Sequence, residues 1–281
     1  MLYDASMTNR PGTFDQFAHV SAKGYLSGNN LSLLLHQEDI KEDTGLSLGI
    51  MAQMADSNTV ALRFVPYHPI IGYKDWEINR DNIITYNLVS KHLDANLDLH
   101  NSESSLKLFT QHSGNDSVQE DINLQISDIK LQDWISINPF APPMAGNLSA
   151  DMKVALALPE VNGAGTVSLA DFYYDRRKVG DFDLRLDVKT GASGTVRANT
   201  SLMVNGQEAI TASGNLNDST AANPFMLDFR MIRFPLSVAN PFLPSDVAQL
   251  SGVLNGEMDV TGKLSEPEFN GYLDFDSTTV N

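Results

Sequence analysis

The sequence contains no cysteine, and it is poor in basic residues, in tryptophan and in long apolar runs. Without cysteine the chain forms neither disulfides nor thiolate metal sites, which leaves both the cytoplasm and a bacterial envelope open as its location. Only 19 Lys and Arg residues stand against 35 Asp and Glu residues, so the net charge is −16. A chain this acidic repels nucleic acid and anionic lipid headgroups, which argues against electrostatic binding to either as its function.

Segments that anchor or export a protein are also missing from the sequence. No stretch reaches the roughly 18 apolar residues that a membrane-spanning helix needs, and the N-terminus lacks the basic start and apolar run of a secretion signal. The second copy of a repeat described below stops at Asn281, whereas the first copy continues further past the same point, so we expect the chain to be a segment of a longer protein whose anchor and signal lie outside it.

Catalytic and metal-binding signatures are absent too. The sequence has no phosphate-binding loop, nucleophile elbow, zinc-binding His-Glu-x-x-His or dinucleotide fingerprint, and its six histidines are scattered. Two Asp-Phe-Asp triplets, at 181–183 and 274–276, place paired carboxylates about 7 Å apart on the outward face of a strand. Their phenylalanines then point inward, which favours a solvated surface over a metal site. We predict a protein that is not an enzyme and that needs no cofactor or metal.

Apolar and polar residues alternate along most of the chain, which is typical of strands with one buried and one solvated face. In one such run apolar residues alternate with Asp181, Asp183, Arg185 and Asp187. The pattern places the following apolar residues on single strand faces: Leu46, Leu48, Ile50, Ala52 and Met54; Val60, Leu62 and Phe64; Leu93, Ala95, Leu97 and Leu99; Phe182, Leu184, Leu186 and Val188.

Turn signals separate these runs, and Asn205-Gly206 is the clearest tight hairpin. Helical signal is confined to residues 131–135 and 235–239, each followed by an Asn-Pro-Phe triplet whose proline we expect to end the helix. Because no long helix covers the sheet, its apolar face packs on another sheet, folds over on itself or covers a ligand. The alternation alone leaves these three options open.

Internal repetition organises the chain. Pro159-Glu160-Val161-Asn162-Gly163 recurs as Pro267-Glu268-Phe269-Asn270-Gly271, and Asn138-Pro139-Phe140 recurs as Asn240-Pro241-Phe242. Chance matches do not keep this order, and a unit of about 100 residues must contain several strands. We predict one continuous elongated unit with an alternating-strand segment at 1–120, a first repeat copy at 121–222 and a second, truncated copy at 223–281.

Residues 254–273 read Leu-Asn-Gly-Glu-Met-Asp-Val-Thr-Gly-Lys-Leu-Ser-Glu-Pro-Glu-Phe-Asn-Gly-Tyr-Leu. This segment resembles the repeat unit of the TamB branch of AsmA-like bacterial envelope proteins, the inner subunit of the translocation and assembly module, in its C-terminal half. The Trp76 region, with Asn79 and Asn82 before a new strand, is similar to another segment of that family. The first repeat copy departs from the pattern at Ala150 and Leu156, where the family has glycine.

The resemblance implies an all-β fold: an elongated, repetitive antiparallel sheet curled into a half-open apolar groove, with at most two short helices. It also implies a location in the periplasm of a Gram-negative envelope, with an inner-membrane anchor outside this segment. The implied partners are phospholipid acyl chains and an outer-membrane barrel protein of the Omp85 type. The implied function is a noncatalytic conduit for phospholipid between the two membranes.

Physical chemistry supports an apolar lining for such a conduit, since exposing a chain of about 16 carbons to water costs roughly 13 kcal/mol. We predict that twelve inward-facing residues line the groove: Leu184, Leu186, Val196, Leu202, Val204, Leu227, Phe229, Met258, Val260, Leu264, Leu273 and Phe275. The alternative is a closed sandwich, in which the same residues pack against each other and leave no groove. Two further alternatives are an assembly factor that pairs its edge strands with outer-membrane proteins, and a glycan-binding β-domain.

Overall fold

A computed structural model describes residues 2–8, 19–111, 120–138, 141–157, 160–191, 194–217, 225–244, 249–263 and 266–280. Strands account for most of these residues, and the two helices are short. The strands pair antiparallel wherever their register is described. The predicted all-β antiparallel fold with at most two short helices is therefore confirmed.

The chain forms two compact units, residues 1–112 with 122–144 and residues 113–121 with 145–281. The predicted boundaries at residues 120 and 222 concern repeat copies in the sequence, and they stay predictions.

The first unit is a meander in which most strands pair with their neighbours in the chain. Near its end β5 also pairs with β8, and β7 pairs with β9. Its elements, with β11 shared at its first residues, are β1 (Leu2–Thr8), β2 (His19–Ser27), β3 (Asn30–Glu38), β4 (Thr44–Met54), β5 (Thr59–Ile71), β6 (Lys74–Asp75), β7 (Glu77–Ile78), β8 (Ile83–Asn87), β9 (Leu93–His100), β10 (Ser105–Gln111), β11 (Glu120–Lys130) and α1 (Leu131–Ile135).

The register of the first unit places its alternating apolar residues on one face. Because directly opposed residues share a face, one row of partners crosses β2, β3, β4, β5, β8 and β9. This row consists of Leu26, Leu31, Ala52, Leu62, Ile84 and Ala95. The faces predicted from alternation for β4, β5 and β9 are confirmed.

Helix α1 packs beside a buried tryptophan. Trp76 is 2% exposed, its Nε1 donates a hydrogen bond to the carbonyl of Ile71 at 3.0 Å, and the ring of Trp134 meets it edge-on at 5.9 Å. The Lys74 ammonium lies 2.9 Å from a carboxylate oxygen of Asp133. A Cβ at Gly72 would lie 2.9 Å from Cβ of Asp133, so only glycine lets α1 approach this turn.

The second unit is a regular meander of long strands from β13 onward, each paired with the next. Among the described residues no pairing joins β19 back to β13, so this sheet is open. Its elements are β12 (Met144–Ala157), β13 (Glu160–Tyr174), β14 (Arg177–Thr190), β15 (Val196–Val204), β16 (Gln207–Asn217), β17 (Phe225–Pro235), the 3₁₀ helix η1 (Leu236–Phe242), β18 (Leu250–Lys263) and β19 (Glu266–Val280).

Two tight turns fix the register at one end of these strands. Asn205 and Gly206 have φ values of 52° and 77°, and they join β15 to β16 as the sequence predicts. Asp175 and Arg176, with φ values of 48° and 63°, join β13 to β14 in the same way. Positive φ at both central residues suits the right-handed twist of the paired strands.

The helical segments lie where the sequence predicts them, with one difference. The segment at 131–135 is α1, and the segment at 235–239 begins η1 at Leu236, one residue after β17 ends at Pro235. The prediction that proline ends the second helix is wrong, because Pro241 lies inside η1. Proline removes only its own N–H donor, and the Arg177 guanidinium stabilises the end of η1 by donating to the carbonyls of Asn240, Pro241 and Leu243. Pro139 of the first triplet lies outside the described residues.

Candidate apolar binding face

One face of the second unit is apolar from β13 to β19, and we call it the apolar face. Three rows of directly opposed residues define it. The first row is Val167, Leu184, Leu202, Ile210, Met231, Gly256 and Leu273. The second is Gly165, Leu186, Thr200, Ala212, Phe229, Met258 and Gly271. The third is Gly163, Val188, Ala198, Gly214, Leu227, Val260 and Phe269.

The opposite face of this sheet is polar. Asp187 is opposed to Asn199, and Arg230 is opposed to Glu257, whose carboxylate lies 3.7 Å from its guanidinium. Asp228 and Asp259 are direct partners as well, a like-charge pair that water must screen. Solvent exposure alternates in step along β17, where every second residue from Phe225 to Met231 is less exposed than the residue after it.

The sheet of the second unit curls around η1. The backbone carbonyl of Asn240 accepts a hydrogen bond from Arg177 on β14, while the Asn240 side chain bonds the backbone of Leu250 on β18 in both directions, at 2.9 and 2.7 Å. In a flat sheet β14 and β18 lie about 19 Å apart, whereas a seven-residue 3₁₀ helix is about 14 Å long. The ends of strands that are not neighbours therefore converge on one short helix.

The closed core of this unit lies at the same end. Val179, Val204, Ala209 and Val238 are buried together, and six partly buried side chains surround them: Phe172, Tyr174, Phe182, Leu202, Ile210 and Phe234. The Tyr174 and Phe242 rings pack with centroids 4.6 Å apart and an angle of 37° between their planes. Away from η1 burial is uneven: Ala198 and Phe225 are buried at 8% exposure each, whereas Leu184 is 37% exposed. Towards β19 exposure rises to 46% at Leu273 and 66% at Phe269.

Most residues predicted to line a groove lie on the apolar face. Eight occupy the three rows: Leu184, Leu186, Leu202, Leu227, Phe229, Met258, Val260 and Leu273. Val196 and Phe275 extend the same face at its ends. Val196 lies two residues before Ala198 on β15, and Phe275 lies two residues after Leu273 on β19. Val204 lies on this face beneath η1, in the closed core. Leu264 lies outside the described residues.

The strand register places further residues on the apolar face, and these residues were not predicted from the sequence. Val167, Ile210 and Met231 complete the first row. Their strands alternate as clearly as the strands of the residues predicted to line the groove. Five glycines also belong to the rows, at 163, 165, 214, 256 and 271. Gly214 and Gly271 lie against the backbone of the next strand, where a Cβ would come within 2.9 Å of Leu227 Cα and 2.6 Å of Met258 Cα. Periodicity does not reveal such glycines, because they add no hydrophobicity.

A depression of about 610 Å³ lies on the other side of the sheet. Its rim consists of Thr166, Arg185, Asp187, Asn199 and Ser201, which all belong to the polar face. Arg185 makes no ion pair among the described side chains. The depression is open and holds no aromatic side chain within its described lining, so it differs in chemistry from the apolar face.

One ionic contact of the second unit joins β13 and β14. The Lys178 ammonium is 2.8 Å from the Asp171 carboxylate, and the hydrogen bond between them raises the pKa of Lys178. Across the part of the chain that the structure describes, no three His, Asp or Glu side chains are placed to hold a metal ion. Within the same ranges, neither helix has the length and apolar character to cross a bilayer.

The arrangement can offer a continuous apolar surface to a ligand, with charge confined to the opposite face. Comparisons of the chain with protein-family models, with curated proteins and with solved structures found no match.

Proposed function

We propose that the chain is a noncatalytic conduit segment that carries phospholipid acyl chains along its apolar face. The observation that carries this proposal is the set of three rows that cross β13 to β19 with only apolar residues, glycine and Thr200. A closed sandwich would bury such a face fully, whereas Leu184 and Leu273 keep more than a third of their surface exposed. The half-buried state of the face supports a mobile apolar ligand over a second protein layer.

Energetics favours a lining of this kind. Each methylene that leaves water for an apolar surface contributes about 0.8 kcal/mol, so an acyl chain gains from contact at every strand. The face is apolar from row to row, so a chain that slides from one strand to the next meets no charged side chain. The acidic polar face, with Asp183, Asp228 and Asp259, keeps the segment soluble.

The remaining parts of the proposal concern place and partners. A lipid conduit is needed where lipid crosses water between two membranes, and we place this segment in the periplasm of a Gram-negative envelope. An outer-membrane barrel protein of the Omp85 type is the proposed protein partner.

A second candidate function, assembly of outer-membrane proteins through strand pairing, is favoured by β19. The described pairings of β19 involve β18 alone, and Phe275 on β19 is 58% exposed. An edge with unpaired backbone groups and exposed apolar side chains can accept a partner strand. Glycan binding receives no comparable support, because Trp76 is buried and the Nε1 of Trp134 is buried against it.

Native mass spectrometry of the purified chain after incubation with phosphatidylethanolamine vesicles tests the conduit. We expect bound phospholipid, and we expect Leu202→Asp and Val260→Asp to abolish it, because a carboxylate in the rows makes an acyl chain lie against a charge. Matched controls are Ser201→Asp and Thr261→Asp, which place the same charge one residue away on the polar face.

Circular dichroism of all four variants checks whether their strand content is retained, which matters most for Leu202→Asp because Leu202 packs against the closed core. Lipid loading that is equal in the face variants and their controls would overturn the conduit. The strand-pairing candidate has its own test, since a proline at Tyr272 on β19 should block partner pairing without changing lipid loading.

A further inference from the structure

Strands β18 and β19 repeat strands β12 and β13 at an offset of 106 residues. A Cβ at Gly165 on β13 would lie 2.9 Å from Met152 Cα on β12. A Cβ at Gly271 on β19 would lie 2.6 Å from Met258 Cα on β18. Both glycines belong to the second row of the apolar face, so β13 and β19 are equivalent strands. The repeated Pro-Glu-x-Asn-Gly phrases lie 108 residues apart, and a difference of two residues leaves the strand face unchanged.

A bulge near the end of each strand supports this equivalence. Asp171 on β13 and Ser277 on β19, again 106 residues apart, have φ values of 49° and 53°. Each lies beside a glycine of the preceding strand that also has positive φ, Gly146 at 151° and Gly252 at 96°. Positive φ is uncommon for residues with a side chain, so its recurrence at equivalent positions marks one repeated structure.

On β13 the following strand, β14, completes the bulge. The backbone N–H of Asp171 donates to the Asp181 carboxylate of β14 at 2.7 Å. The equivalent residue on β19 is Ser277, and the described pairings of β19 involve β18 alone. The free edge of β19 therefore repeats the edge of β13 that β14 covers, without the carboxylate that caps the bulge.

Side-chain exposure differs between the two strands in the same sense. Val167 and Leu169 on β13 are partly buried. Their equivalents on β19, Leu273 and Phe275, are 46% and 58% exposed, and Tyr272 on the other face is 59% exposed. Exposed apolar side chains on both faces of an unpaired edge are typical of an edge that pairs with another strand.

The charge of β19 argues against a second β19 as that strand. Three carboxylates share its polar face and are opposed on β18 by residues without positive charge: Glu268, Asp274 and Asp276. An antiparallel pairing of two β19 strands centred on Tyr272 would oppose Glu268 to Asp276, and like charges directly opposed are destabilising. A second copy cannot offer its β14 either, because that strand is paired on both edges.

We propose that the free edge of β19 binds an antiparallel strand of a partner protein with the chemistry of β14. Such a strand alternates apolar with polar residues and carries, near its start, an Asp or Asn that accepts the N–H of Ser277. In the β14 register Asp183 would face Asp274, so the partner strand has Lys or Arg there. The proposal rests on the strand-pairing candidate and names the strand that β19 selects, and it does not depend on lipid transport.

The register of β13 and β14 supplies the peptides for a test. Shifted by 106 residues, it opposes Phe182, Leu184 and Leu186 of a β14 peptide to Phe275, Leu273 and Gly271. The first peptide has the sequence of residues 177–190, and the second carries Asp183→Lys in that sequence. A third peptide adds Asp181→Ala to the second and so lacks the carboxylate that would cap the bulge.

Hydrogen exchange of the full chain, followed by mass spectrometry, reports where each peptide binds. We expect the Asp183→Lys peptide to protect residues 266–280. The unsubstituted peptide should bind about fivefold more weakly, because it opposes a carboxylate to Asp274. The peptide that also carries Asp181→Ala should bind about tenfold more weakly than the Asp183→Lys peptide, because a hydrogen bond to a charged group is lost.

A charge exchange in the chain tests the register. Asp274→Lys should reverse the preference, so that the unsubstituted peptide binds more tightly than the Asp183→Lys peptide. Asp259→Lys is the matched control, since it makes the same change on the same face of β18, which is paired on both edges. That control should leave the preference unchanged. Both positions are exposed, and circular dichroism checks that both variants keep their strand content.

The outcomes separate this proposal from the strand-pairing candidate. Equal binding of all three peptides, or an Asp274→Lys variant with unchanged preference, would overturn the β14-like partner while strand pairing at β19 stands. Absence of any peptide-dependent protection of residues 266–280 would overturn both. Protection of residues 160–174 instead would mean that the peptide replaces β14 on β13, and protection of 266–280 by raising the chain concentration alone would assign the edge to a second copy. Either result would overturn the proposal.

Discussion

The guanidinium of Arg177, at the start of β14, donates a hydrogen bond of 3.1 Å to the backbone carbonyl of Asn240, 63 residues later in η1. The same guanidinium donates to the carbonyls of Pro241 and Leu243. The Asn240 side chain in turn bonds β18. This clasp brings the ends of β14 and β18 to one helix and gives the second unit its curl.

Removing the Arg177 guanidinium should lower the stability of η1. Arg177→Ala leaves three carbonyl groups without their charged donor, so we expect a loss of about 2–3 kcal/mol in the free energy of unfolding of the second unit. Hydrogen exchange, followed by mass spectrometry, should accelerate in residues 236–243. Arg230→Ala is the control, because it removes an exposed ion pair on the polar face and should cost about 0–1 kcal/mol. Equal exchange of η1 in both variants would contradict the role of the clasp.

Within the three rows, glycine should be required for stability only where the backbone of the neighbouring strand leaves no room for a Cβ. Gly214→Ala brings a Cβ within 2.9 Å of Leu227 Cα, so we expect β16 and β17 to separate at a cost of about 1–3 kcal/mol. Gly163→Ala is its counterpart in the same row, with its nearest atoms at 3.5 and 3.6 Å. That variant should be neutral or slightly more stable, because alanine suits a strand better than glycine. Chemical denaturation followed by circular dichroism compares them, and the reverse order of stability would refute this account.

A buried asparagine stabilises the first unit. Asn82 is 1% exposed, its Oδ1 accepts from the backbone N–H of Phe64 at 2.7 Å, and its Nδ2 donates to the carbonyls of Phe64 and Asn79. Asn82→Ala leaves these groups buried and unpaired, so we expect a loss of about 2–4 kcal/mol. Urea unfolding monitored by tryptophan fluorescence measures it, since Trp76 and Trp134 are both in this unit. Asn96→Ala, at an exposed position, should cost less than about 1 kcal/mol, and an equal loss would contradict the prediction.

Acid should weaken the contacts around α1. Hydrogen bonds from Lys130 and then Lys74 lower the pKa of Glu103 below its ordinary value of 4.5. A lowered pKa means that the folded state holds the proton less tightly than the unfolded state does. The stabilisation is therefore complete above pH 4.5 and is lost as the pH falls through the folded-state pKa.

Melting curves of the first unit between pH 7 and pH 3, read by tryptophan fluorescence, check this expectation. Glu103→Gln should melt lower at pH 7 and should lose less on acidification than the unmodified chain. Glu42→Gln removes a carboxylate that makes no ion pair among the described residues, and it should follow the unmodified curve. A Glu103→Gln variant with the full acid response would contradict the assignment.

Most of the correct structural predictions follow from the alternation of apolar and polar residues, because a two-residue period determines which side chains share a strand face. The facing of β4, β5, β9 and β14 follows from it, and the Asn205-Gly206 turn follows from the positive φ that both residues accept. The clasp could not be predicted, since its two residues are 63 positions apart and neither belongs to a recognisable motif. The place of Pro241 inside η1 depends on the same contact.

In the candidate site, too, local sequence patterns predict some features, whereas others depend on contacts between residues far apart in the chain. The residues chosen from β14, β15, β17 and β18 lie on one face, as their alternation predicts. The burial of Val204 beneath η1 depends on the curl, which no local pattern encodes.

The order of strands in the second unit also determines how this sheet can form. Each of its pairings from β13 to β19 joins neighbours in the chain, so hairpins close short loops and can form early, one after another. The clasp must close a loop of more than sixty residues, which is entropically costly until the intervening hairpins have shortened the distance. Curling is therefore expected as a late step in folding, after the ladder of strands is complete.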